Sequence, residues 1–218
     1  MRGSTIIILT IVVAVFLGMA YVGYNISTEP IESEYEDLPE LDISIEPIQT
    51  DAKADTIPNL ERGNKTLIFT PLAHYRIAAL LVSKHKYTGN FMNRLSPCDF
   101  ALAWGEIPNQ LEYIKFKQMI RYCKYNIEDP TKVDPNYLAC HMSNNHLIPA
   151  NNNIRHAIRL AKKGMKVELE GYLVGLEVMK KGKPYSAWRS SVIRTDNGGG
   201  ACELIYLTKL RIEDKVYE

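Results

Sequence analysis

The side chains best suited to chemistry in this 218-residue chain are a cysteine, two histidines and two arginines in its second half. Cys202 follows a glycine-rich turn and precedes a predicted strand. A thiol in such a position becomes a nucleophile when a nearby base or cation lowers its pKa. His141 or His146 would supply the base, and Arg194 or Arg211 would stabilise an oxyanion. This set predicts a thiol-dependent enzyme as one reading of the chain, and the sequence leaves open whether it is an enzyme.

The polar segment from Cys140 to His146 also carries atoms that can bind zinc. His141 and His146 have four residues between them, and Cys140 and Cys202 add two thiols. One loop can present two ligands to a tetrahedral ion at such a spacing. The chain has no second compact pair of Cys or His, so no metal ligand and no cofactor are predicted, and a small metal-binding domain stays an alternative.

A second group of polar residues favours ligand binding over catalysis. Guanidinium groups can grip an anion, hydroxyl and amide groups can donate to it, and glycines let backbone N–H groups approach it. The alternative is a structural role for these residues, because the sequence Asp196-Asn197-Gly198 favours a turn. The predicted binding residues are Arg189, Ser190, Ser191, Arg194, Asp196, Asn144 and Asn145.

These residues must be positioned by one domain of ordinary size, predicted over 63–218. Alternating apolar residues predict strands at 73–83, 117–126, 165–179, 185–194 and 201–212, and an amphipathic helix begins after 151–153. A hydroxyl cap and a proline predict a short helix from Pro97 to Gly105, whereas 133–150 is predicted as a loop or irregular strand. Gly171 and Gly175 would let a long strand coil.

The predicted fold class is therefore α+β. We expect a mainly antiparallel sheet that forms a small, partly open barrel, OB-like or SH3-like, with one or two short helices and one preceding transmembrane helix. A generic antiparallel α+β sheet is the alternative.

Residues 5–24 are predicted to be the transmembrane helix, because the seventeen residues from Ile6 to Val22 carry no charge. Arg2 precedes this segment and no further Lys or Arg occurs before Lys53. The positive-inside rule therefore predicts a cytoplasmic stub at 1–4 and an outward-facing domain, as in a signal-anchor. A secretory signal peptide cleaved behind Ala20 is the alternative.

The segment 25–62 has eleven acidic residues, four prolines and, before Arg62 at its end, the single base Lys53. This composition predicts a disordered tether, with docking of its sparse apolar residues as the alternative. Of the 26 Lys and Arg residues in the chain, only Arg2 and Lys53 precede Arg62, so 24 lie from Arg62 onward. Of the 25 Asp and Glu residues, eleven precede Arg62, so 14 lie from Arg62 onward. The domain is thus strongly basic. Its four cysteines permit three two-bridge disulfide pairings, and their spacing selects none.

Four strings, 96–105, 143–150, 169–174 and 189–204, resemble sequences of bacterial membrane-anchored or exported proteins for which no activity is established. The resemblance implies a location in the bacterial cell envelope and one coherent domain. Together with the predicted orientation of 5–24, this predicts an inner-membrane protein with a periplasmic domain. We therefore expect a single-pass envelope protein whose domain is a binding or scaffolding module of unknown ligand. The expected partners are the bilayer through 5–24 and an envelope protein, anionic glycan or anionic lipid; nucleic acid is not expected.

Overall fold

The computed structural model describes residues 12–17, 19, 29–193, 195–196 and 201–218. Of the predicted membrane segment 5–24, residues 12–17 and 19 are helical and the others lie outside the described residues. Within the part of the chain that is described, no helix combines the length and the apolar character needed to span a bilayer. The transmembrane helix stays a prediction.

The folded part is mixed α+β and rich in strands, as predicted. The elements are β1 (Ile48–Asp51), β2 (Leu60–Arg62), β3 (Lys65–Lys86), α1 (Phe91–Leu95), β4 (Cys98–Ala103), a 3-10 helix (Ile107–Tyr113), β5 (Ile114–Met119), β6 (Tyr122–Ile127), α2 (Pro135–Cys140), β7 (Met142–Pro149), α3 (Asn152–Leu160), β8 (Lys166–Lys180), β9 (Lys183–Arg189), β10 (Glu203–Ile212) and β11 (Lys215–Tyr217).

Five of the strands form a partly ring-like sheet. Hydrogen bonds join β3 to β4, β4 to β7, β7 to β10, β10 to β8, and β8 back to β3. The β7–β10 pair is parallel and the other four pairs are antiparallel. Inside the ring lie alternate side chains of its strands, such as Tyr75, Phe100 and Leu207, and the buried face of α3 packs against them.

The outer surface of β4 and β7 lies under two covers. The first half of β3, the second half of β8, and β9 curl over β7 and β10, where Leu67 and Leu176 pack with Ile148 and Leu204. On the other side, the 3-10 helix, the β5–β6 hairpin and α2 pack over β4. The two covers meet above the middle of the ring.

The structure corrects two predicted elements. The helix predicted from Pro97 to Gly105 is wrong, because residues 98–103 form β4 between β3 and β7. Phe100 and Leu102 face the ring interior while Ala101 and Ala103 face the outer cover, so both sides of the strand are buried. The segment 133–150, predicted as a loop or irregular strand, contains the helix α2 and the regular strand β7.

Other predictions agree with the structure more closely. The amphipathic helix after residue 151 is α3, and the long strands near the C-terminus are β8 and β10. The single strand predicted at 117–126 is instead the β5–β6 hairpin, which turns at Ile120 and Arg121. Arg121 has a φ of +63°, a left-handed conformation that allows the tight turn.

The structure also differs from the predicted disordered tether. Residues 29–62, called here the acidic strap, lie along the domain and include β1 and β2. Glu32 pairs with Lys215 at 2.7 Å, Glu40 pairs with Lys166 at 2.7 Å, and Leu41 is buried. The carboxylates and sparse apolar residues of the strap thus find partners on the basic domain, which is the docked alternative.

Candidate functional site

A fully buried carboxylate lies where the two covers meet. Asp99 of β4 has one oxygen, Oδ1, 2.9 Å from Arg121 Nη1 and also 2.9 Å from His146 Nδ1, the latter without an aligned hydrogen bond. The Tyr87 hydroxyl donates to the other oxygen, Oδ2, at 2.7 Å. The ring of Trp188 lies 4.7 Å from that of His146. These five residues are called the polar junction.

Arg121 connects the hairpin to the ring through this junction. Its guanidinium lies 3.7 Å from the Tyr87 ring centre and 5.2 Å from that of Trp188. It also donates to Ser96 and Asn93 in the connection between β3 and β4. The left-handed backbone of Arg121 costs conformational energy, which these interactions offset. The guanidinium is thus engaged by internal partners, and the junction binds three segments to one another.

Cys202 lies beside the junction. Its Sγ is 3.8 Å from Asn144 Nδ2 and 3.8 Å from the carbonyl oxygen of Arg121. Asn144 and His146 are two residues apart on β7, so they share the outer face with Cys202. Burial raises the pKa of the Cys202 thiol to about 11, and the nearby carboxylates act in the same direction. This environment favours the thiol over the nucleophilic thiolate.

His141 lies in another part of the domain. Its Nε2 is 2.7 Å from Glu46 of the acidic strap, and its ring stacks on Tyr137 at 3.6 Å. The indole N–H of Trp104 donates to the second Glu46 oxygen at 3.1 Å. His141 therefore helps to hold the strap, and only His146 of the two predicted bases lies near the junction.

The predicted binding residues separate into several places. Ser190 accepts the Leu204 N–H at 2.9 Å, and Ser191 donates to Asp196 at 2.6 Å, so these three polar groups stabilise the connection from β9 to β10. Asn145 points into the ring, where it donates to Ser143 and to the Phe100 carbonyl. Arg189 is exposed on β9. Arg194 lies outside the described residues.

A basic surface with aromatic side chains lies at one end of the domain. Lys65 is 4.8 Å from the Phe91 ring centre and 5.5 Å from that of Tyr185, and Lys180 is 5.2 Å from the same tyrosine. Arg155 of α3 donates to the carbonyl of Arg94 on α1 at 2.9 Å. We call this surface the basic end; its cations are Arg62, Lys65, Arg94, Arg155, Arg159, Lys180 and Lys183.

Few acidic residues lie on the described elements that carry the basic end. Burial lowers the pKa of Arg155, and the like charges of Arg62 and Arg159 lower it further. The described elements α1, α3 and β9 contain no Asp or Glu, and the one acid of β2, Glu61, accepts from Thr66. Several strap carboxylates pair elsewhere, with Lys215, Lys166 and His141. Positive charge therefore accumulates here and attracts anions.

Sequence reasoning missed both the junction and the basic end. It named His146, Asn144 and Cys202, but Asp99, Arg121 and Tyr87 gave no local signal, because their contacts join distant segments. The lysines near residues 180–183 gave no local signal either. Their proximity to α1 and α3 depends on the curl of the long strands β3 and β8.

The described residues contain no group of three or more His, Cys, Asp or Glu side chains placed to hold a metal ion. Comparison of the chain with protein families, curated proteins and solved structures finds no match in any of the three.

Proposed function

We propose that this chain is a membrane-anchored binding module of the cell envelope that binds an anionic ligand through its basic end. The observation that carries the proposal is the group of seven cations at the basic end, of which Lys65 and Lys180 lie over the rings of Phe91 and Tyr185, with β3, α1, α3 and β9 contributing no Asp or Glu. Arginine and lysine beside aromatic rings suit sulfate, phosphate or carboxylate groups on an extended ligand.

The strand order supports an OB-like barrel as the finer description of the fold. Numbered along the chain, the ring strands are β3, β4, β7, β8 and β10, and their order around the ring is first, second, third, fifth, fourth. The third and fifth strands are parallel, and α3 lies between the third and fourth. The OB-fold is a five-stranded Greek-key barrel of this kind.

The OB-fold also gives the basic end a functional position. OB-folds bind oligosaccharides and oligonucleotides through the second and third strands and the loops joining strands one to two and four to five. In this chain the first of these connections carries Phe91 and Arg94, and the second carries Lys183 and Tyr185. The outer surface of β4 and β7 is covered, so the two connections are the accessible part of that region.

A polyanion titration tests the proposal. The full chain in neutral detergent would be titrated with dextran sulfate and with unsulfated dextran, and binding measured by calorimetry. The basic-end variant changes three exposed cations, Arg159→Gln, Lys180→Gln and Lys183→Gln. The control variant removes the same charge from exposed positions in and after the hairpin, Lys117→Gln, Lys124→Gln and Lys132→Gln.

We expect dextran sulfate to bind and unsulfated dextran not to bind. The basic-end variant should lose at least tenfold in affinity, because three charge contacts are removed, whereas the control variant should stay within about threefold of the parent. Equal losses in the two variants would mean that net charge alone drives binding, and would contradict a site at the basic end.

A further inference from the structure

We infer that the anionic ligand of the basic end is the phosphate headgroup layer of the membrane that anchors the chain. This inference rests on the proposed function and on the predicted membrane helix at 5–24. It adds the chemical class of the ligand and an orientation of the domain.

The path of the strap supports this orientation. Asn153 of α3 holds Ile31 by two hydrogen bonds, accepting the Ile31 N–H at 2.6 Å and donating to its carbonyl at 2.9 Å. Arg155 and Arg159 lie on the same nine-residue helix, which is about 13 Å long at 1.5 Å per residue. The start of the described strap therefore reaches the domain beside the basic end.

The distance to the membrane is short. Six residues lie between Tyr24, the end of the predicted membrane helix, and Ile31. The seven steps from Tyr24 to Ile31 cover at most about 3.5 Å each in a fully extended chain, or about 25 Å in all. The basic end is thus confined to the vicinity of the headgroups. Attraction to anionic lipid acts over a Debye length of about 8 Å at physiological ionic strength. A short tether therefore favours binding, because it keeps the cations close to the lipid phosphates.

The side chains at this end suit a membrane interface. Tyr185 is 53% exposed with Lys180 5.2 Å from its ring centre, and Leu160, the last residue of α3, is 43% exposed next to Arg159. Tyrosine is favoured at headgroup depth, and arginine and lysine bind phosphate. Of the strap carboxylates next to Ile31, Glu32 pairs with Lys215 at 2.7 Å.

Hydrogen–deuterium exchange of the full chain in nanodiscs tests the inference. One nanodisc preparation would contain only phosphatidylcholine, and the other would contain phosphatidylcholine with about one third phosphatidylglycerol. We expect amide exchange in α3 and in the β8–β9 turn to slow at least threefold in the anionic nanodiscs, with α2 unchanged. The basic-end variant should lose this difference and the control variant should keep it.

The outcomes separate this inference from the proposed function. Equal exchange in the two lipids, or a chain that does not stay with nanodiscs, overturns the inference. If dextran sulfate still binds in detergent with the expected variant effect, the proposed function stands and its ligand is a soluble or cell-wall anion. Loss of both signals overturns both proposals.

Discussion

At the residue scale, the polar junction depends on the charge of the Asp99 carboxylate. Asp99 is completely buried, and its nearest cation is the Arg121 guanidinium at 2.9 Å. Removing one partner of a buried ion pair leaves the other charge without compensation, which costs more than the pair itself contributes. Asp99 should therefore hold the hairpin to the ring.

Asp99→Asn tests this role, because the substitution keeps the size of the side chain and removes its charge. We expect the free energy of unfolding to fall by about 2–4 kcal/mol, measured by urea denaturation. Glu177→Gln on the exposed face of β8 is the matched control and should change stability by less than about 0.5 kcal/mol. A loss for Asp99→Asn no larger than the control would show that the junction contributes little.

Cys202 provides a residue-scale test of the thiol-enzyme alternative. Because burial raises its pKa to about 11, the thiolate fraction is very small at pH 7. Alkylation by iodoacetamide, followed by peptide mass spectrometry of the folded chain, should be slow at pH 7 and accelerate about tenfold per pH unit up to pH 10. Rapid alkylation of Cys202 at neutral pH would instead support a nucleophilic thiol.

The sequence identified residues of the site by chemical type but not their grouping. His146 and Cys202 do lie on one outer face, whereas His141, which has the same chemistry, holds the strap. Neighbouring residues give no information about this separation. It arises because Asp99 and His146 are opposite each other across the β4–β7 pair, a register set by the whole sheet.

At the scale of the elements, Gly171 and Gly175 of β8 have different structural roles. A Cβ on Gly171 would lie 2.1 Å from the Tyr206 carbonyl oxygen, whereas one on Gly175 would lie 3.6 Å from its nearest neighbour, Arg189 Nη1. The backbones of β8 and β10 therefore approach closely only at the first glycine. The sequence predicted both glycines to bend the strand, and the structure distinguishes them.

The pair Gly171→Ala and Gly175→Ala tests this difference. Both variants add the same methyl group to the same strand. We expect Gly171→Ala to lower the free energy of unfolding by more than about 2 kcal/mol, because backbone must move, and Gly175→Ala to change it by less than about 1 kcal/mol. Thermal or urea unfolding measures both. Similar stabilities for the two variants would contradict the close β8–β10 approach.

The predicted helix after residue 151 is confirmed as α3, whereas the helix predicted at Pro97 to Gly105 is wrong, and the faces of the two segments show why. The helix α3 has a buried face and a charged face, so its period is visible in the sequence. The strand β4 has no exposed face, and its local Ser96-Pro97 start is typical of a helix. The pairing with β3 and β7 overrides that local preference.

At the scale of the whole molecule, charge is divided between two regions. The acidic strap neutralises the side that carries Lys166 and Lys215, with Glu40 and Glu32 as partners, and Glu218 pairs with Lys209 on the same side. At the basic end the strap contributes β2, which carries Arg62 and a single acid, Glu61, that accepts from Thr66. Composition predicted the excess of positive charge on the domain, but only the three-dimensional path of the strap determines where that excess remains.

The most direct test of the central claim is the dependence of dextran sulfate affinity on salt. Binding through several Lys and Arg side chains should weaken by at least tenfold between about 50 and 200 mM salt, since screening shortens the range of each interaction. The basic-end variant should show a shallower slope than the parent and the control variant should not. An affinity for the parent chain that is the same at both salt concentrations would contradict recognition of an anionic ligand by the basic end.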